Sequence, residues 1–137
     1  MNIFVQNSIN GQPIKIIGGK QTCSFIDVRD VATALSIIID KSGEESFQTV
    51  YNLGTNSIFS ISQIANIIKE ISKEYGKNVE IIKEEKDIRQ DVGMDSSLFM
   101  HSFNWKPAFD MKAMIRSLFE YNLNLQNSIR GGELLNI

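Results

Sequence analysis

Among 137 residues there is one histidine, His101, and one cysteine, Cys23. A tetrahedral zinc site needs four ligands drawn mainly from those two residue types, so a His/Cys zinc centre is excluded. A serine triad would have to use His101. That residue sits between Met100 and Ser102 on a short predicted helix, and no nucleophile-elbow sequence occurs in the chain. A lone histidine in this setting reads as structural or surface. The run Gly18-Gly19-Lys20 lacks the spacing and the trailing Ser/Thr of a P-loop and reads as a turn between strands. Arg89 and Asp91, two places apart, read on their own as a surface ion pair of little energetic worth.

These groups need elements to hold them. Ile3, Phe4 and Ile9 suit a short opening helix. Ile14-Lys15-Ile16-Ile17 predicts a strand closed by Gly18-Gly19, and 24–27 a second short strand. Asp27 suits a helix N-cap and Asp30 the positive end of the same helix. Val31, Ala32, Leu35, Ile38 and Ile39 then predict its inward stripe. Residues 49–53 are β-rich and stop at Gly54, which predicts a strand. Ser60 and Gln63 form a capping box, with Phe59 and Ile64 as its hydrophobic staple. Ile61, Ile64, Ala65, Ile68 and Ile71 line the helix that follows, and Gly76 ends it. Residues 79–83 predict a further strand. Asp95 is placed to cap a short helix containing Leu98, Phe99 and Phe103, and Asn104 to take a left-handed conformation after it. Asp110 is placed to cap a last helix through about Leu125, with Met111, Met114, Ile115, Leu118 and Phe119 inward. Strands alternating with helices give an α/β fold with short strands. The expected organisation is one domain over 1–126 and a flexible tail over 127–137.

Composition narrows the partners. A 42% hydrophobic and 22% charged content fits a globular domain. The net charge of −2 and the interleaving of Lys69, Lys73, Lys77, Lys83 and Lys86 with Glu70, Glu74, Glu80, Glu84 and Glu85 leave no basic patch for nucleic acid. The longest apolar run, Ile37-Ile38-Ile39, is far short of the ~20 residues of a membrane span. With no basic, apolar leader at the N-terminus and one unpaired cysteine, a cytoplasmic location is the expectation.

Three segments, in order, carry a resemblance: Phe25-Ile26-Asp27-Val28-Arg29-Asp30-Val31-Ala32, then Val50-Tyr51-Asn52-Leu53-Gly54, then Asn104-Trp105-Lys106-Pro107. Together they resemble the C-terminal, substrate-binding part of NAD-dependent sugar-nucleotide epimerases and dehydratases, the extended short-chain dehydrogenase/reductase family. The resemblance covers roughly residues 1–123. The family's glycine-rich dinucleotide fingerprint is absent. So is its Tyr-x-x-x-Lys pair, because Tyr51, Tyr75 and Tyr121 have Thr55, Val79 and Leu125 four places on.

The resemblance implies a nucleotide-sugar substrate, with Ile17 and Phe25 beside the base, and Arg89 and Asp91 on the diphosphate and ribose. Ile17 and Phe25 also read simply as strand core. The resemblance places NAD and the catalytic tyrosine in an N-terminal Rossmann half that this chain lacks, so the chain alone is expected to hold no cofactor, no metal and no catalytic residue. Cys23-Ser24 stands where the family commonly has Arg-Asp, which removes a charged contact worth ~1.5–3 kcal/mol and leaves room for a carrier with fewer phosphates. Two alternatives stand beside this reading: a stand-alone, non-catalytic binding module, and a fragment of a related ketone reductase of the same superfamily. Separation from a Rossmann half should expose apolar surface, expected at Ile3, Phe4, Val5 and Ile9, and lead to self-association.

Overall fold

The computed structural model describes residues 1–43, 47, 50–88 and 90–130. Arg89 and 131–137 lie outside them. Helix α1 (Asn2–Ile9) leads into β1 (Ile14–Ile17), β2 (Thr22–Cys23) and α2 (Val28–Lys41). Then come β3 (Phe59–Ser60), α3 (Ile61–Glu74), β4 (Ile81–Glu84), β5 (Asp91–Val92), α4 (Ser97–Phe103) and α5 (Met111–Arg130). The expected α/β fold of short strands alternating with helices is the one observed. β1 pairs in parallel with β4, Ile14 opposite Ile81 and Ile17 opposite Glu84. A second sheet runs β3-β2-β5, with β2 antiparallel to β3 and parallel to β5.

Two apolar clusters hold these elements. In the larger, α1, α3 and α5 close over β1 through Val5, Ile14, Ile64, Ile68, Ile115 and Phe119, each at most 1% exposed. The smaller sets Ala34 of α2 against Phe99, Phe103 and Trp105. Its rings meet edge to face, Phe99 with Trp105 at 5.4 Å and Tyr51 with Phe103 at 5.2 Å between centroids, a favoured aromatic geometry.

The α3 start is built as its residues dictate. Ser60 Oγ accepts from Gln63 N at 3.1 Å while Gln63 Oε1 accepts from Ser60 N at 2.7 Å, so two amides without a helical partner are satisfied reciprocally. Asn104 takes φ 47° at the end of α4, and Asp110 accepts from Ala113 N at the start of α5. The turn after β1 needs glycine. Gly19 has φ +92°, and a β-carbon there would run into Ser62 Oγ.

The structure departs from the sequence reading at several elements. The second strand is Thr22–Cys23, not 24–27, because only that stretch has neighbours on both sides; Ser24 instead donates its hydroxyl to the Thr55 carbonyl at 3.0 Å. Residues 50–53 form no strand, and Thr49 lies outside the described residues. A β-rich sequence becomes a strand only where a partner ladder is within reach. The strand expected at 79–83 is Ile81–Glu84, in register with β1.

Helix α2 turns a different face inward. Asp30 and Ala34 are buried with Ile37 and Ile38 half-buried, while Leu35 and Ile39 are 51% and 70% exposed. Helix α5 continues past Leu125 to Arg130. The expected open patch on α1 is also largely closed, since Val5 and Ile9 pack into the main core and only Ile3 is fully open, at 67%.

The junction of the two clusters rests on Asp27, Arg29 and Asp30. Asp27 caps α2, its Oδ1 accepting from Arg29 N at 2.9 Å. The Arg29 guanidinium also grips Asp27 bidentately, with both bonds at 2.8 Å, and lies 3.7 Å over the Phe109 ring. Asp30 serves as a clamp rather than a helix-end charge. Its carboxylate, 1% exposed, accepts from the amides of Ala108 at 2.8 Å and Phe109 at 3.1 Å.

Replacing Asp30 by Asn leaves one neutral acceptor and turns an NH2 donor toward the other backbone N–H. Asp30→Asn is therefore expected to lower unfolding stability by about 2–3 kcal/mol. A urea midpoint equal to wild type would refute the clamp. The bond from Arg29 holds the Asp27 carboxyl below its ordinary value of 3.8. A lowered folded pKa stabilises fully above the unfolded value and is lost as pH falls through the folded one. Acid unfolding followed by circular dichroism should thus begin at higher pH in Arg29→Met than in wild type.

Candidate functional site

β2 is the element that assembles the site, because it lies between β3 and β5. The parallel register sets Thr22 opposite Asp91 and Cys23 opposite Val92, and Thr22 Oγ1 donates to Asp91 Oδ1 at 2.7 Å. On the other edge, the Thr55 hydroxyl donates to the Phe25 carbonyl at 3.0 Å. Asn56 reaches across to the start of α4, accepting from Ser96 N and donating to Ser97 Oγ.

Two adjoining cavities result. An open one of about 510 Å³ is lined by Thr22, Asn56, Ile58, Asp91, Met94 and Asp95, with Gly93 at its floor. A small one of about 70 Å³ lies among Ser24, Phe25, Leu53, Gly54 and Val92. Gly93 and Met94 line both.

The open cavity has a definite chemical character. Its charged lining residues are two carboxylates, Asp91 and Asp95, with no lysine or arginine among the described lining. The Asp95 carboxyl is held below the ordinary range by bonds from the Ser97 hydroxyl and amide, so it is ionised at neutral pH. Carboxylates, a hydroxyl and an amide beside Ile58 and Met94 suit a ligand with several hydroxyl donors on a partly apolar frame.

Of the four residues singled out in the sequence, the structure brings two together. Phe25 lines the small cavity and Asp91 the open one. Ile17 is 51% exposed at the end of β1, opposite Glu84, and lines neither. Arg89 falls outside the described residues. Thr22, Asn56 and Met94 are site residues that sequence reasoning missed. Only strand pairing across 69 residues brings Thr22 to Asp91. Cys23 beside them is half-buried against the Phe59 carbonyl, and burial pushes its thiol up, away from reactive thiolate. His101 is exposed on α4.

The Gly18-Gly19 turn is closed on itself. Gly19 N donates to Gln21 Oε1 at 2.6 Å, and Gln21 Nε2 donates to the Ile17 carbonyl at 2.9 Å, so this turn does not fit a dinucleotide phosphate cradle. Among the described residues no group of three or more His, Cys, Asp and Glu side chains could hold a metal ion. No helix among them is long and apolar enough to cross a membrane.

No protein-family model matches the chain. It is 27% identical over 134 residues to UDP-sulfoquinovose synthase of Sulfolobus acidocaldarius, an alignment that takes in 92% of this chain and 34% of that protein. A UDP-glucose-4-epimerase from Stenotrophomonas maltophila, solved with bound NAD and formylated UDP-arabinopyranose, superposes with a TM-score of 0.76 at 18% identity. That match covers 91% of this chain and 39% of the other. UDP-glucose 4-epimerase from Thermotoga maritima with UDP-glucose gives a TM-score of 0.71 at 22% identity, covering 90% and 39%. The chain thus spans about a third of the length of the curated relative and 39% of either solved chain.

Proposed function

We propose that this chain, an NAD-dependent epimerase/dehydratase-like portion of the extended short-chain dehydrogenase/reductase family, supplies the sugar-nucleotide side of the active centre of a longer protein. The observation that carries this reading is the Thr22–Asp91 pair beside Phe25, Asn56 and Met94 at two joined cavities. Asp91 accepts from ligand hydroxyls, Thr22 holds its carboxylate in place, and Phe25 and Met94 pack against the apolar face of the base or sugar. Arg89 supplies the phosphate contact. With Cys23 at the position where the resemblance expects arginine, that contact is single and the site tolerates a carrier with fewer phosphates.

NAD supplies the hydride chemistry of such a protein. The Gly18-Gly19 turn of this chain does not fit its phosphates, and in this reading the cofactor and the proton-transferring tyrosine are carried by the rest of the longer protein. The chain alone is inactive. What supports an absent portion is α2, whose inward side carries Ala34, Ile37 and Ile38 while Val28, Leu35 and Ile39 stand 77%, 51% and 70% exposed on its other side. A helix apolar on two sides is a buried helix in its full setting.

Thermal-shift titration tests the function. UDP-, dTDP- or CDP-sugars are expected to raise the melting temperature, NAD to leave it unchanged, and Asp91→Ala to abolish the shift. Stabilisation by NAD, or oxidation of a sugar nucleotide by the chain alone, would refute the reading. The exposed α2 face should make the isolated chain self-associate, and sedimentation velocity should show less association in Leu35→Ser/Ile39→Ser. A wild-type chain that sediments as a clean monomer would remove that argument for an absent portion.

A further inference from the structure

Phe25 also lines a third cavity, of about 410 Å³, which shares Asn56 with the open one. Its walls are Phe25, Phe59, Phe109, Met100, Met111 and Met114, and its size falls in the range of small-molecule sites. Three methionines on flexible stems give walls that adapt to the shape of an apolar guest.

The polar groups around this cavity are almost all spent. Asp30 takes the amides of Ala108 and Phe109. Asp110 Oδ1 accepts from Ala113 N, Thr55 Oγ1 donates to the Phe25 carbonyl, and the Asn56 amide bonds Ser96 and Ser97. Lys106 differs. It lines the cavity, is exposed, and has no ion pair among the described residues. Its backbone is fixed between Trp105, which is 6% exposed and donates Nε1–H to Thr33 Oγ1 at 3.1 Å, and the rigid ring of Pro107. The lining carries two charged side chains, Lys106 and Asp110; Asp110 Oδ1 is engaged by the Ala113 amide, so Lys106 is the charge left to meet an anionic group on a ligand whose body is apolar, where attraction is stronger than in open water.

We propose that this cavity is a second ligand site, for a small organic anion with an aromatic or branched aliphatic body, of the aryl carboxylate or sulfonate class. The body lies among the methionine and phenylalanine side chains and the anionic group meets the Lys106 ammonium. Phe25 is a wall common to this site and to the small cavity beside Asp91.

Methyl NMR of the whole chain tests the site directly, because three of its five methionines line the cavity and Met1 and Met94 do not. The probe is anilinonaphthalene sulfonate. Saturable shifts are expected at Met100, Met111 and Met114, with Met1 and Met94 unmoved. Lys106→Gln should weaken binding about tenfold, the scale of one charge-assisted hydrogen bond, and Lys106→Arg should restore it. The uncharged parent amine, phenylnaphthylamine, should bind wild type and Lys106→Gln equally. Shifts centred on Met1 or Met94, no shifts at all, or equal sulfonate affinity in wild type and Lys106→Gln would each overturn the proposal. The sugar-nucleotide titration is independent of every one of these outcomes.

Discussion

The buried carboxylate of Asp30 is the constraint on which the rest of the structure depends. It sits in the first turn of α2, yet both of its oxygens bond the backbone at the entry to α5. A polar group so fully removed from water is tolerable only when its lone pairs are taken up, and the two amides do that. The bonds tie the smaller cluster, built around α2 and α4, to the larger one, built around α5. Around them Arg29 lies over Phe109 and Trp105 reaches Thr33, so α2 meets the 105–109 segment through three kinds of contact. Two sequence segments more than seventy residues apart thereby become one piece of architecture.

That architecture determines where recognition groups can stand. With α2 anchored at 108–109, residues 22–26 have a fixed course from the glycine turn to the Asp27 cap. β2 is then available to β3 on one side and to β5 on the other. The two joined cavities are consequences of that sandwiching. The residues lining them come from three separate stretches of chain, and no single element carries the chemistry. This is the usual division of labour between a rigid scaffold and the loops it presents.

The helices were legible in the sequence because their signals are local. The capping box at Ser60, the left-handed Asn104 and the caps at Asp27 and Asp110 each involve residues within four positions of one another. What was not legible is what depends on distant partners. The second strand was misplaced by two residues, since only the ladders to β3 and β5 locate it. The inward face of α2 was misread because the helix has apolar residues on two sides, and periodicity cannot choose between two apolar faces. Asp30 fitted a helix-end role by position, while its partners lie 78 and 79 residues away. The same limit explains the site. Phe25 and Asp91, singled out through resemblance, line the two cavities, but Thr22, Asn56 and Met94 carry no local mark of what they face.

The pairing pattern has a consequence in time as well as in space. β1 waits for β4, β2 for β5, and α1 for α5, where Gln6 donates to Asn122 across 116 positions. On a ribosome adding about 5–20 residues per second, α1 stays without its final partner for roughly 6–23 s. During that interval Val5 and Ile9 can pack on β1 and α3, but the chain still lacks the part of its core that α5 brings. Its newborn form is therefore a natural client for whatever shelters apolar segments during synthesis.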